Sequence, residues 1–249
     1  MLSKSSIKYI QSLQHKKFRD IHHVFIAEGP KIVDEIIATG AFACKALYGL
    51  EKWVNSNTHL TQNLIHTEVQ AITDFELEKI SALTTPNQVL AVFEKRKNNV
   101  DIKVLNTITI VLDDIQDPGN LGTIIRIADW FGVKNIVCSM HTADMYNTKV
   151  VQSTMASLGR VNIIYTKIDE WLLQHAAIKK YVAVLDGAPV SDFKNTKEGI
   201  IIIGNESKGI SQAILNYADE KITIPRVGNA ESLNAAVALG IILYGLIQA

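Results

Sequence analysis

The sequence predicts an α/β protein in two parts: a small α/β domain at residues 1–94 and a larger parallel-sheet domain at residues 107–249, joined by a linker at 95–106. Three observations predict it. The second part holds six short runs of continuous apolar residues separated by helical patterns. A strand without polar alternation is buried on both faces, as in parallel sheets covered by helices. The first part alternates shorter helical and strand patterns, the mark of a compact α/β unit. Between them, Lys95-Arg-Lys-Asn-Asn-Val-Asp-Ile-Lys103 has no hydrophobic periodicity.

The bulk numbers agree with this division and narrow the class. A chain of 249 residues with 47% apolar residues has material for one large or two modest cores. The 25 basic and 25 acidic residues cancel, so no global field advertises nucleic acid. Charge is uneven locally: Lys4, Lys8, Lys16, Lys17, Arg19 and Lys31 face only Asp20 and Glu28 within residues 1–31, a net of +4. That patch is either a solvated helix face or a phosphate-contacting surface. Cys44 and Cys138 lie far apart in apolar runs and read as small buried hydrophobes of a reducing cytosol. His15, His22 and His23 have no metal-ligand spacing, so no metal is expected. The N-terminus is a polar amphipathic stretch without a signal-like apolar segment. The C-terminal apolar run, roughly 15 residues, is shorter than a membrane span needs.

In order, Ser3–Lys17 reads as a helix, His23–Ala27 as a strand and Gly29–Thr39 as a helix. Ala43–Gly49 and Asn63–His66 read as strands, Asp74–Ser81 as a helix, and Gln88–Glu94 as a closing strand. In the second part the strands are Thr107–Leu112, Asn135–Cys138, Val161–Tyr165, Tyr181–Leu185, Ile200–Ile203 and Lys221–Ile224. Helical patterns occupy Leu121–Phe131, Thr148–Leu158, Ile168–Ala177 and Gln212–Tyr217, and are assigned to the faces of that sheet. Ligands of such sheets bind beyond the carboxyl ends of the strands.

Three turns at those ends carry candidate chemistry. In the first, Asp117-Pro-Gly-Asn120 turns into a helix, with Asn120 expected to cap it and Arg126 on the side away from the core stripe. A guanidinium one turn after Gly122 offers a fixed fork of donors suited to a phosphate. In the second, Ile201–Ile203 runs into Gly204, whose missing side chain frees the backbone to approach a ligand, and Glu206 follows near a helix start. Gly204 and Gly209 have phosphate-loop spacing, but Ile210-Ser211 replaces the required Lys-Ser/Thr, and no G-x-G-x-x-G occurs in either turn. In the third, a strand stops at Pro225, turns through Gly228 and re-enters a helix at Ser232, the expected N-cap. That helix, to Gln248, is apolar on nearly every side and must be covered all round; Ala235, Ala236, Ala238 and Gly240 leave room for another backbone.

Asn120-Leu-Gly-Thr-Ile-Ile-Arg126, Ile203-Gly-Asn-Glu-Ser-Lys-Gly-Ile210 and Ile224-Pro…Glu231-Ser-Leu-Asn234 together resemble the three motifs of the SpoU (TrmH-like) RNA 2′-O-ribose methyltransferases of the SPOUT superfamily. A weaker resemblance covers residues 1–94, where Phe25-Ile-Ala-Glu-Gly-Pro-Lys-Ile-Val33 is similar to the ribosomal-protein-like α/β/α substrate-binding domain often placed before the catalytic one. The resemblance implies a C-terminal SPOUT domain tied in a deep trefoil knot. It also implies S-adenosylmethionine held around Leu185, Gly204, Glu206, Ile224, Leu233 and Asn234, and a homodimer formed through the C-terminal domain. By the same resemblance Arg126, Asn120, Glu206, Ser232 and Asn234 are the catalytic set, acting on a ribose hydroxyl of structured RNA, ribosomal RNA before transfer RNA, in the cytoplasm. Lys16, Lys17, Arg19, Glu28 and Arg226 are the expected RNA contacts.

The sequence departs from the family pattern in two places. Arg226 stands where an apolar residue such as Met is common, and is expected to add a phosphate contact. Ala235-Ala236 replaces a frequent Val-Ser. Two other function classes compete. A non-catalytic RNA-binding or ribosome-assembly protein on the same fold is opposed by the intact catalytic set. A doubly wound nucleotide-binding enzyme is opposed by the missing fingerprints. A third reading keeps the family and moves the methyl group to a base atom.

Overall fold

Ser3 starts the first helix of the computed structural model: its hydroxyl accepts from the Ser6 amide at 3.0 Å, and α1 runs Lys4–Ser12. Residues 1–62, 64, 66–96 and 102–247 are described. The expected strand Asn63–His66, much of the linker, and Gln248 fall wholly or partly outside them. The helix expected to reach Lys17 breaks after Ser12 and restarts as α2, Lys16–His22. Arg19 explains how the break is tolerated. Its Nη1 donates to the Leu13 and Gln14 carbonyls at 3.0 and 2.7 Å, satisfying acceptors that helix interruption frees.

The rest of the first unit follows: β1 Val24–Glu28, α3 Pro30–Thr39, β2 Cys44–Leu50, α4 Glu51–Ser56, α5 Thr58–Thr61, β3 Glu68–Ile72, α6 Asp74–Ile80 and β4 Val89–Glu94. Its sheet has the order β1-β4-β2-β3, with only the β2–β3 pairing parallel. One face is sealed by Ile10, Leu13, Leu77 and Ile80 against Val24, Ile26, Tyr48, Leu90 and Val92. Thr73 and Glu76 form a capping box at the start of α6.

The second unit opens with β5 Ile108–Asp113, α7 Pro118–Trp130 and β6 Asn135–Cys138. The chain then leaves it. Residues 144–160, containing α8 Thr148–Ser153, belong to the first unit. The helical pattern at 148–158 therefore does not cover the parallel sheet, which corrects the sequence-based assignment. Tyr146 stacks against Phe25 with ring centroids 4.8 Å apart, and Asp144 receives Arg19 Nη2 at 2.6 Å. Removing one partner of so buried an ion pair typically costs about 3–5 kcal/mol.

The chain returns as β7 Asn162–Tyr165, α9 Ile168–Gln174, β8 Lys180–Pro189, β9 Gly199–Gly204, α10 Gln212–Leu215, β10 Glu220–Thr223 and α11 Ala235–Ile247. All six strands are parallel, in the order β10-β8-β9-β5-β6-β7. Val111, Val137, Val182, Ile200 and Ile202 point to one face and pack with Ile168, Leu172 and Ile214. The alternating residues Ile110, Leu112, Ile136, Ile201 and Ile203 are equally buried on the other face, where α11 packs on α7 and β9. Among the described residues no helix is long and apolar enough to cross a membrane.

Candidate active site at the switch point of the parallel sheet

β9 lies beside β5 in a register that pairs Asp113 with Gly204, so the first and second turns leave the sheet side by side. β10 ends beside β8, with Thr223 opposite Pro189 and its hydroxyl donating to the Leu185 carbonyl at 3.2 Å. The third turn starts there. The direction in which successive strands are added reverses between β5, which leads on to β6 and β7, and β9, which leads to β10 on the far side of β8. Open α/β sheets bind ligands at such a point.

Helix α7 begins earlier than expected. Asp117, extended at φ −74° and ψ 122°, is the N-cap and accepts the Asn120 amide at 2.8 Å, with Pro118 as the first helical residue. The Asp-Pro pair is itself a start signal, and it corrects the reading of Asn120 as the cap. Relieved of capping, the Asn120 side chain reaches outward. Its Nδ2 donates to Glu206 Oε1 at 2.5 Å, and its Oδ1 accepts from Asn234 Nδ2 at 2.8 Å. Asn234 Oδ1 in turn accepts the Ala236 and Val237 amides at 3.1 and 3.3 Å, capping α11.

This series has only one consistent polarity. An ionised carboxylate accepts only, and helix N-terminal amides donate only, so both intervening amide groups are oriented from their two ends. Three residues separated by as much as 114 positions form one hydrogen-bonded line. Asn234, not Ser232, is thus the N-cap. Ser232 is exposed and outside the line.

Gly204 also has a different reason for being glycine than the sequence suggested. A Cβ there would meet the Gly209 backbone at 2.5 Å, so the position is closed by its own loop. Asn205 and Gly209 pair backbone to backbone at 3.0 and 2.9 Å, with Gly209 at φ +67°, a conformation glycine adopts without strain. Leu185 and Leu233 are exposed apolar residues and Ile224 is half-buried. Arg126 is exposed on α7 along with Thr123 and Trp130, and its guanidinium makes no hydrogen bond among the described residues. Arg226 is exposed and donates to the Ala230 carbonyl at 3.1 Å, bracing its own turn.

In the first unit, Lys16 and Lys17 are exposed, Lys16 in an ion pair with Asp20 at 2.9 Å. Arg19 and Glu28 are not available to RNA: they are 1% and 4% exposed. Arg19 is occupied as described above. Glu28 accepts from the Ser81 hydroxyl and, at 2.9 Å, from the Ala82 amide. Burial pushes the Glu28 carboxyl above its usual range, and those two hydrogen bonds pull back against it. Both cysteines are free and buried, and burial raises the Cys44 thiol to about 12 and pushes Cys138 up as well, so neither is a nucleophile. Asp113, Asp114, Asn205 and Ser139, none of them among the sequence-predicted site residues, brace the first two turns. Their polar side chains at strand ends were the available signal.

An all-parallel sheet with three interlocked polar turns at its switch point defines a ligand-binding α/β enzyme domain. The chain belongs to the SpoU rRNA methylase family, whose model matches residues 107–244, more than half of the chain. Residues 4–91 match the MRM3-like substrate binding domain. The 23S rRNA (guanosine(2553)-2′-O)-methyltransferase RlmP of Bacillus subtilis (strain 168) is 30% identical, covering 96% of this chain and 95% of that protein. The AdoMet-bound rRNA methyltransferase of Sinorhizobium meliloti superposes with a TM-score of 0.86 at 28% identity, covering 99% and 96% of the two chains. The SpoU methyltransferase AviRb of Streptomyces viridochromogenes, solved with its cofactor AdoMet, gives 0.85 at 26% identity, with 98% and 97% covered.

Proposed function

We propose that this chain transfers a methyl group from S-adenosylmethionine to a ribose 2′-hydroxyl of ribosomal RNA. The observation that carries the reading is the Glu206–Asn120–Asn234 line, which joins the three family turns in one place. The residues present suit the cofactor. Exposed Leu185 and Leu233 and half-buried Ile224 offer apolar cover for a flat base, and the irregular backbone of 224–234 offers amide and carbonyl groups to its polar parts. When bound, S-adenosylmethionine supplies an electrophilic methyl group on a sulfonium.

The chain's own groups supply position and charge. The hydroxyl must lie in line with the methyl group, so orientation is a large part of the catalysis. Arg126, which makes no hydrogen bond among the described residues, is available to a phosphate of the RNA and to negative charge developing on the ribose oxygen. A guanidinium stays protonated, so the hydroxyl proton passes to that phosphate or to water. Asn120 and Glu206 hold the first two turns, Asn234 holds the third, and Ser232 is exposed for ribose or cofactor. Lys16, Lys17 and Arg226 are the surface cations assigned to RNA phosphates, in a cytoplasmic enzyme.

The test is direct. Ribosomal RNA from cells lacking the gene should miss one 2′-O-methyl group that the purified protein and S-adenosylmethionine restore. Unchanged methylation at every nucleotide overturns the assignment and favours the assembly role.

The homodimer and the deep trefoil knot are part of the same reading. In support of the dimer, Val237 (51% exposed), Ile241 (40%) and Tyr244 (56%) form an apolar stripe on α11, and Trp130 (85%) is bare on α7 beneath the same face of the sheet. Such spacing, four then three residues, is a helix face awaiting a partner. Ile241→Glu should convert a dimeric parent to monomer in sedimentation velocity; a parent that sediments as a monomer at micromolar concentration ends that part of the reading.

A further inference from the structure

Asp114, the first residue after β5, sits at φ +59°, a region that residues with side chains rarely enter. Its conformation is held from outside the three turns. The Ser139 hydroxyl, at the end of β6, accepts the Asp114 amide at 3.0 Å and donates to Asp114 Oδ1 at 2.6 Å. A hydroxyl has one proton, so the donation to the carboxylate commits it. Thr142 Oγ1, 3.0 Å from Ser139 Oγ, must then act as donor in that contact or turn to the Leu112 carbonyl at 3.3 Å. Ser139 and Thr142 are both buried, so neither has water as an alternative partner of equal standing.

The held Asp114 presents its carbonyl to Asn205 Nδ2 at 2.8 Å. Asn205 Oδ1 accepts the Ser207 and Lys208 amides at 2.9 and 3.0 Å, closing the loop that carries Glu206. Backbone strain that persists is over-determined by its surroundings and is a pointer to function. We infer that Ser139 is a positioning residue for Glu206, acting through Asp114 and Asn205 to fix the loop that meets Asn120. The link from that loop to catalysis rests on the methyltransferase reading above.

The experiment uses the full chain and three variants: Ser139→Ala, Asn205→Asp and the pair together. Asn205→Asp keeps an acceptor for Ser207 and Lys208 and replaces the donor to Asp114 by a carboxylate oxygen that repels the Asp114 carbonyl. Two quantities are read: hydrogen exchange at the Ser207 and Lys208 amides, and calorimetric affinity for S-adenosylmethionine without RNA. Each single change should speed exchange and weaken the cofactor about tenfold, while the pair does no more than the stronger single, because both cut one line. Unchanged exchange in Ser139→Ala, or effects that multiply in the pair, overturns the inference. If the parent binds no S-adenosylmethionine yet Ser139→Ala speeds exchange at those amides, the positioning role stands and the methyltransferase reading fails.

Discussion

Arg126→Ala lowers single-turnover methyl transfer into ribosomal RNA by about 10²–10³-fold and leaves the fold intact. The magnitude is that of removing one preorganised donor from a site of developing negative charge. The fold should be spared because the exposed guanidinium makes no hydrogen bond among the described residues, and surface changes of that kind stay within about 0.5 kcal/mol. Affinity for S-adenosylmethionine should not move, since Arg126 takes no part in the Glu206–Asn120–Asn234 line. Arg126→Lys keeps the charge and loses the fork, so it should recover only part of the rate. A rate for Arg126→Ala within about twofold of the parent, at full folding, removes Arg126 from the mechanism.

Asn120→Asp acts on binding and rate together. The side chain must donate to Glu206 and accept from Asn234 at once, which only an amide does without a proton to spare. An introduced carboxylate keeps the acceptor, loses the donor and faces Glu206 with like charge. The two turns should separate, weakening S-adenosylmethionine by about 10²-fold, in keeping with the 2–3 kcal/mol lost when a charged hydrogen bond is broken and replaced by repulsion. The sign of the pH dependence is a second check. Two adjacent carboxylates retain a proton more readily than one, and that proton restores the donor. Residual affinity of Asn120→Asp should therefore improve relative to the parent as pH falls. Calorimetry across pH 5 to 8 reads this, and a variant that binds as the parent does at every pH would show that the line is incidental.

Much of the fold was legible because its determinants are local. Asn135–Cys138 reads as a buried strand from four residues, and it is β6. Pro30 after Gly29 marks a helix start, and α3 begins there. Where reading failed, two local signals competed or a distant group intervened. Asp117-Pro118 and Asn120 are both helix-start signals, and the structure uses the first. Ser232 and Asn234 are both good caps, and the bond to Asn120 selects the second. The periodicity of 3–17 describes one helix, but Arg19 stabilises a break that the pattern does not record.

By itself the sequence determined that strands and helices would alternate into a parallel domain behind a smaller one, and that three polar turns would stand at strand ends. Those outcomes follow from apolar spacing, proline and caps, which act over a few residues. Only the tertiary structure decided which turns would touch, because parallel strands choose neighbours across long stretches of chain. Inserting β9 between β5 and β8 sets Gly204 beside Asp113, and that placement brings Glu206 to Asn120. The same holds for residues 144–160: their helical pattern suits either core, and the Arg19–Asp144 pair with the Phe25–Tyr146 stack assigns them to the first unit. Glu28 and Arg19 looked like surface charges for the same reason, since burial depends on what packs over a residue and not on its own neighbours in the chain.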